Sequence, residues 1–85
     1  MFNFTIEREQ NDNFSTIRTQ AFATIEEARK AYEDADIESI FDTIERTEAR
    51  STDGMTVSKH IVEIDEDGYS VADCFDPVEY EEYAR

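Results

Sequence analysis

Eighty-five residues carrying 22 Asp and Glu against eight Lys and Arg, a formal charge of −14, exclude several kinds of protein. So short a chain supports one hydrophobic core and one domain, and its 39% of apolar residues, six Phe and four Tyr among them, are enough to pack that core. The negative field repels nucleic acid and anionic membrane, the single cysteine precludes an internal disulfide framework, and the opening MFNFTIEREQ reads as neither signal peptide nor membrane span, so a cytoplasmic setting is expected.

Phe2, Phe4 and Ile6 alternate with Asn3, Thr5 and Glu7, a period of two that predicts a strand with one buried face. The polar run Glu9 to Asn13 should turn the chain, and residues 14–20, rich in Phe, Thr and Ile, should return antiparallel. Thr24 and Glu27 have capping-box spacing, so a helix starts there. Ile25, Ala28, Ala31, Tyr32 and Ala35 share its apolar side.

Residues 36–48 admit two readings. Ile37, Ile40, Phe41 and Ile44 fall at i, i+3, i+4 and i+7 behind Asp36 as an N-cap, which favours a second helix. The competing reading makes Phe41 to Arg50 a strand that turns through residues 51–54 into the next one. Asp53-Gly54 is a turn signal, and Met55 to Ile64 follows as a strand with β-branched residues at most alternate places. Asp65 to Gly68 should turn again, and Tyr69, Val71 and Phe75 should complete a hairpin. Asp76 as cap, Pro77 at the first helical position and Glu79 three after the cap predict a short terminal helix carrying Val78, Tyr80 and Tyr83. The order ββααββα describes an α+β domain: an antiparallel sheet of about four strands with two to three helices on one face.

Few residues offer chemistry. His60 is the only histidine and Cys74 the only cysteine, too few nitrogen and sulfur ligands for a zinc or iron site. A Cys74–His60 pair is disfavoured as a nucleophile because negative surroundings suppress the thiolate, and Cys74 reads as a small buried hydrophobe. Glu63-x-Asp65-x-Asp67-Gly68 resembles the start of a calcium loop, but position one should be Asp and position twelve, here Cys74, should be Glu. No phosphate loop or nucleophile elbow occurs. The expectation is a protein without catalytic activity, metal or cofactor.

Charge is the remaining signal, and it is unevenly placed. Residues 1–30 hold five acids and four bases, a net of −1, whereas residues 31–85 hold seventeen acids and four bases, a net of −13. On the second helix Glu38, Asp42 and Glu45 step along one flank, with Asp34 and Asp36 before it and Glu48 at its end. Like charges at such spacing cost a few tenths of a kcal/mol per pair. A carboxylate about every helical turn, ~5.4 Å, approaches the repeat of phosphates along a nucleic-acid strand. A second patch joins Asp65, Glu66 and Asp67 to Glu79, Glu81 and Glu82, with Tyr80 and Tyr83 either as aromatic anchors or, for one of them, as part of the core.

In length, charge, scarcity of Cys and His, and compact α+β plan, the chain resembles the small acidic inhibitors of bacteriophages and mobile elements, among them anti-CRISPR proteins and DNA-mimic antirestriction proteins. The resemblance implies a stoichiometric blocker of a basic nucleic-acid-binding protein or complex, such as a CRISPR effector or restriction enzyme, with no direct contact to nucleic acid. Two other readings stand beside it. The acid excess, with six Arg to two Lys, also suits a halophilic or generic acidic domain. An exposed strand edge or the apolar side of the terminal helix would make it a homodimeric assembly module instead of a monomer.

Overall fold

Two long strands open the chain, β1 (Phe2–Gln10) and β2 (Asn13–Phe22), joined through Asn11 and Asp12, both at positive φ (55° and 63°). That is the backbone a two-residue hairpin needs, and Asn and Asp tolerate it best among residues with a side chain. The structure is a computed structural model describing every residue from Met1 to Arg85. Helices α1 (Ile25–Asp34) and α2 (Ile37–Thr47) follow, then β3 (Thr56–Glu63) and β4 (Glu79–Ala84). The sheet order is β2-β1-β3-β4 with all neighbours antiparallel, so the domain is α+β.

Both helix starts follow from their caps. Thr24 Oγ1 accepts the N–H of Glu27 and donates to its carboxylate, and Asp36 Oδ1 accepts the N–H of Ser39. The alternative strand at Phe41 to Arg50 does not form, because Ile37 and Phe41 are buried as one helical stripe. Phe4 and Ile6 of β1 and Val57 and Ile61 of β3 project from one face of the sheet to meet Ala28, Ile37, Phe41 and Met55. Each large apolar side chain removed from water there contributes about 1.5–3 kcal/mol.

Three expectations fail beyond β3. Tyr69 to Phe75 do not complete a hairpin: after the Asp65–Gly68 turn, only the Ile64–Ser70 bridge and the bond from Val71 N–H to Glu63 O continue the pairing. The terminal helix is absent, and β4 occupies its place, pairing Val57 with Tyr83 and His60 with Tyr80. The capping signals of Asp76, Pro77 and Glu79 lose to an open backbone edge on β3. Tyr83 reaches the core, its ring edge-on to Phe41 at 5.3 Å, an anchor a short helix bearing Glu79 and Glu82 at repulsive spacing would lack. Cys74, expected to be buried, is exposed because its segment is loop instead of strand.

Candidate partner interface

The row of carboxylates on α2 is present but not free. Arg85, at the end of β4, donates to Asp42 and, at 2.7 Å, to Glu45, while its guanidinium lies over the Phe41 ring. Glu48 accepts from Arg8 at 2.8 Å and faces Arg50 at 3.4 Å, and the Arg8 hydrogen bond is the main cause holding its carboxyl below the usual range. Asp34 lies 4.0 Å from Lys30, and Asp36 is engaged as the helix cap. Glu38 alone of this group has neither an ion pair nor a side-chain hydrogen bond. A strip in which two of the three α2 carboxylates and the Glu48 cap face arginines presents little of the uncompensated charge of a phosphate strand.

The second predicted patch is different. Between His60 and Ala84 there are nine carboxylates and no Lys or Arg. Only two of the nine reach a cation: Glu79 to Arg29 and Glu81 to Lys59, each at 3.4 Å. Glu63, Asp65, Glu66, Asp67, Asp73, Asp76 and Glu82 form no ion pair. The turn explains part of the crowding, since Asp65 Oδ1 accepts the N–H groups of Asp67 and Tyr69 and Gly68 takes φ +87°, a conformation suited to glycine.

Aromatic side chains stand among these acids. Tyr69 is 73% exposed, Phe75 62% and Tyr80 47%. Strand alternation puts Tyr80 and Glu82 on the face away from the helices, opposite His60 and Ser58 of β3. The loop folds back over this face, so that Phe75 meets the His60 ring edge-on at 5.1 Å and Tyr80 at 6.1 Å. Tyr80 donates its hydroxyl to Glu82 at 2.8 Å, and burial followed by that bond raises its pKa. Tyr83, the other proposed anchor, faces the core.

His60 belongs to this cluster and was legible only as a strand residue. It is 7% exposed, and its Nδ1 has no hydrogen-bond partner, lying 3.7 Å from Glu7 Oε1. Burial pushes the imidazole pKa down, with Glu7 opposing the shift. On the helix side, Lys59 is 5% exposed and donates its Nζ to the carbonyls of Tyr32 (2.6 Å) and Ala35 (2.8 Å), in the last turn and at the C-cap of α1. Its role in the fold was not anticipated, since a lysine inside an alternating strand reads as solvent-facing.

The structure is thus an α+β domain in which the stretch from Glu63 to Glu82 holds seven carboxylates without an ion pair and three exposed aromatic rings. No three of its His, Cys, Asp and Glu side chains converge as a metal site would require, and no helix is long and apolar enough to cross a membrane. Compared with known proteins, the chain matches no family model, no curated protein and no solved structure.

Proposed function

We propose that the protein is a small acidic inhibitor that binds a basic nucleic-acid-binding protein, such as a CRISPR effector or restriction enzyme, and blocks its engagement of DNA or RNA. The region assigned to this role is the segment from Glu63 to Glu82, with Glu66, Asp67, Asp73 and Asp76 as its free carboxylates and Glu82, held only by the Tyr80 hydroxyl, beside them. The observation that carries the reading is the run of nine acids without a Lys or Arg, seven of them lacking any ion pair. Uncompensated charge of one sign speeds encounter with a surface of the other, and Tyr69, Phe75 and Tyr80 add the aromatic contacts that concentrate binding energy at interfaces. The α2 row contributes less, because Arg85, Arg8 and Arg50 already hold it.

The test has two steps. Proteins captured at low salt on the immobilised chain are purified, and the chain is titrated against each one's complex with labelled DNA or RNA. The expected result is stoichiometric displacement of the nucleic acid, lost on raising the salt. Combined Asp73→Lys, Asp76→Lys and Glu82→Lys should abolish displacement, while Glu38→Lys on α2 should leave it. A captured protein that holds the chain and its nucleic acid together would refute the proposal, as would a triple variant that folds and still competes.

Glu26, Glu33 and Glu38 also lack ion pairs, which favours a second reading: a carboxylate surface solvated for high intracellular salt. That reading expects the chain to unfold on removal of salt, and folding at low ionic strength would refute it.

A further inference from the structure

The two outer strands of the sheet differ in a way the acidic surface does not explain. β4 is short and carries Glu79, Glu81 and Glu82 in six residues, a negative edge that discourages further pairing. β2 is ten residues long, NFSTIRTQAF, with no carboxylate, no Pro and no Gly, and Arg18 as its single charge. Its one protective device is a bulge: Ile6 pairs with Arg18 and Glu7 with Thr16, leaving Ile17 as the extra residue. Beyond the bulge, Arg18 to Phe22 run as a regular, exposed edge beside β1.

We propose that this edge pairs with the same edge of a second copy, antiparallel about a twofold axis at Gln20, so that two sheets join into one of eight strands. In that register Arg18 lies across from the partner's Phe22 and Thr19 across from the partner's Ala21. The aliphatic stem and guanidinium of each arginine rest on an aromatic ring, and no two like charges face each other. A twofold axis normal to the sheet puts both pairs of helices on one side, so the α1 helices, each packed beside its own β2, flank the axis. Between β2 and α1 lies a shallow groove of about 440 Å³ lined by Arg18, Gln20, Phe22, Glu27, Lys30 and Asp34. Lys30 lies 4.0 Å from Asp34 of its own protomer, which leaves Glu27 as the groove's one carboxylate without an ion pair.

Charge selects the second copy as occupant. Two molecules of charge −14 repel through most of their surfaces, but residues 1–34, which supply β1, β2 and α1, hold seven acids and four bases, a net of −3, against −11 for the rest of the chain. The β2 edge is where two copies approach with least repulsion, and pairing there leaves the acidic β4 edges at the outer ends of the joined sheet. Five paired residues and two helix flanks make a small interface, so the dimer is weak and concentration-dependent. Its salt dependence is opposite in sign to that of an acidic surface binding a basic partner: salt screens the repulsion between copies and strengthens pairing.

Sedimentation of the full chain over a range of concentration, at low and high salt, tests the proposal. The expected result is a discrete dimer at high concentration, favoured by salt and lost in Gln20→Lys, which puts two ammonium groups at the axis. Ser15→Lys, on the other side of the bulge, should leave it intact. In a Cys74→Ser background, Gln20→Cys should crosslink rapidly under oxidation and Ser15→Cys slowly, a readout that stands even if the lysine variant fails to fold. A monomer at every concentration in high salt, an open-ended polymer, a dimer that survives Gln20→Lys, or equal crosslinking at both cysteines would overturn it.

Discussion

Lys59→Met removes an ammonium from the interior while keeping an apolar stem of similar length. In the structure Nζ makes two hydrogen bonds to main-chain carbonyls of α1, at 2.6 and 2.8 Å, and lies 4.2 Å from the Tyr32 ring centre. A hydrogen bond to a charged group contributes about 1.5–3 kcal/mol net, and a cation over an aromatic face about 0.5–1 kcal/mol. The ion pair to Glu81 adds at most about 0.5 kcal/mol, because that carboxylate is more than half exposed. Against these stands the relief of desolvating the ammonium, several kcal/mol in the buried limit. The net expected loss is about 2–3 kcal/mol, a large share of the roughly 4–13 kcal/mol available to a domain of this size. Urea unfolding followed by circular dichroism and tyrosine fluorescence would measure it as a lower midpoint at unchanged slope. Glu81→Gln in the same assay should cost under about 0.5 kcal/mol. A Lys59→Met loss below about 1 kcal/mol, or one matched by Glu81→Gln, would refute the claim that the carbonyl bonds fasten α1 to β3.

Two further outcomes follow from the caps and the buried histidine. Because burial lowers the His60 pKa, the unfolded chain takes up the proton more readily than the folded one, and this contribution to stability fades as pH falls below about 6.5. His60→Phe keeps the contacts with Phe75 and Tyr80 and removes the orphaned Nδ1, so its stability should fall less than that of the parent between neutral pH and pH 5; parallel curves would count against the assignment. Thr24→Ala should cost about 1 kcal/mol and lower Tm by about 4–8 °C, and a calorimetric scan showing no change would mean the cap seen at Glu27 N–H carries no weight.

The first half of the fold was legible because local and tertiary signals agree there. Alternation in Phe2, Phe4 and Ile6, the cap at Thr24 and the stripe from Ile37 to Ile44 each specify one element, and the sheet and helices form where those patterns place them. The last twenty residues misled because their local chemistry is helical while their partners are distant. Asp76, Pro77 and Glu79 favour a helix start, yet Val57 and Ile61 leave an edge that only an extended chain can complete, and Tyr83 gains the Phe41 ring by completing it. Along β4 the faces alternate, Glu79, Glu81 and Tyr83 against Tyr80 and Glu82, but each face mixes acids with tyrosine, so no apolar period of two marks the strand in the sequence. The carboxylates were equally visible, but not their pairing: Arg85 lies 43 residues from Asp42, and no local pattern brings them together.

That pairing decides which acids are available for recognition. A carboxylate already facing a guanidinium must give up that contact before meeting another cation, so Asp42, Glu45 and Glu48 gain little from a new partner. Glu66, Asp67, Asp73 and Asp76 give up only water, and Glu82 only the Tyr80 hydroxyl. Their mutual repulsion is a standing cost of the free protein, and a basic surface relieves it on contact, which adds to the attraction in proportion to the charge it neutralises. The same repulsion confines self-association to β2, the one long strand without a carboxylate near the axis proposed for it. Two charge-dependent interactions on opposite edges of one sheet would respond to salt in opposite directions, so a single salt series read for both partner release and dimer mass separates them.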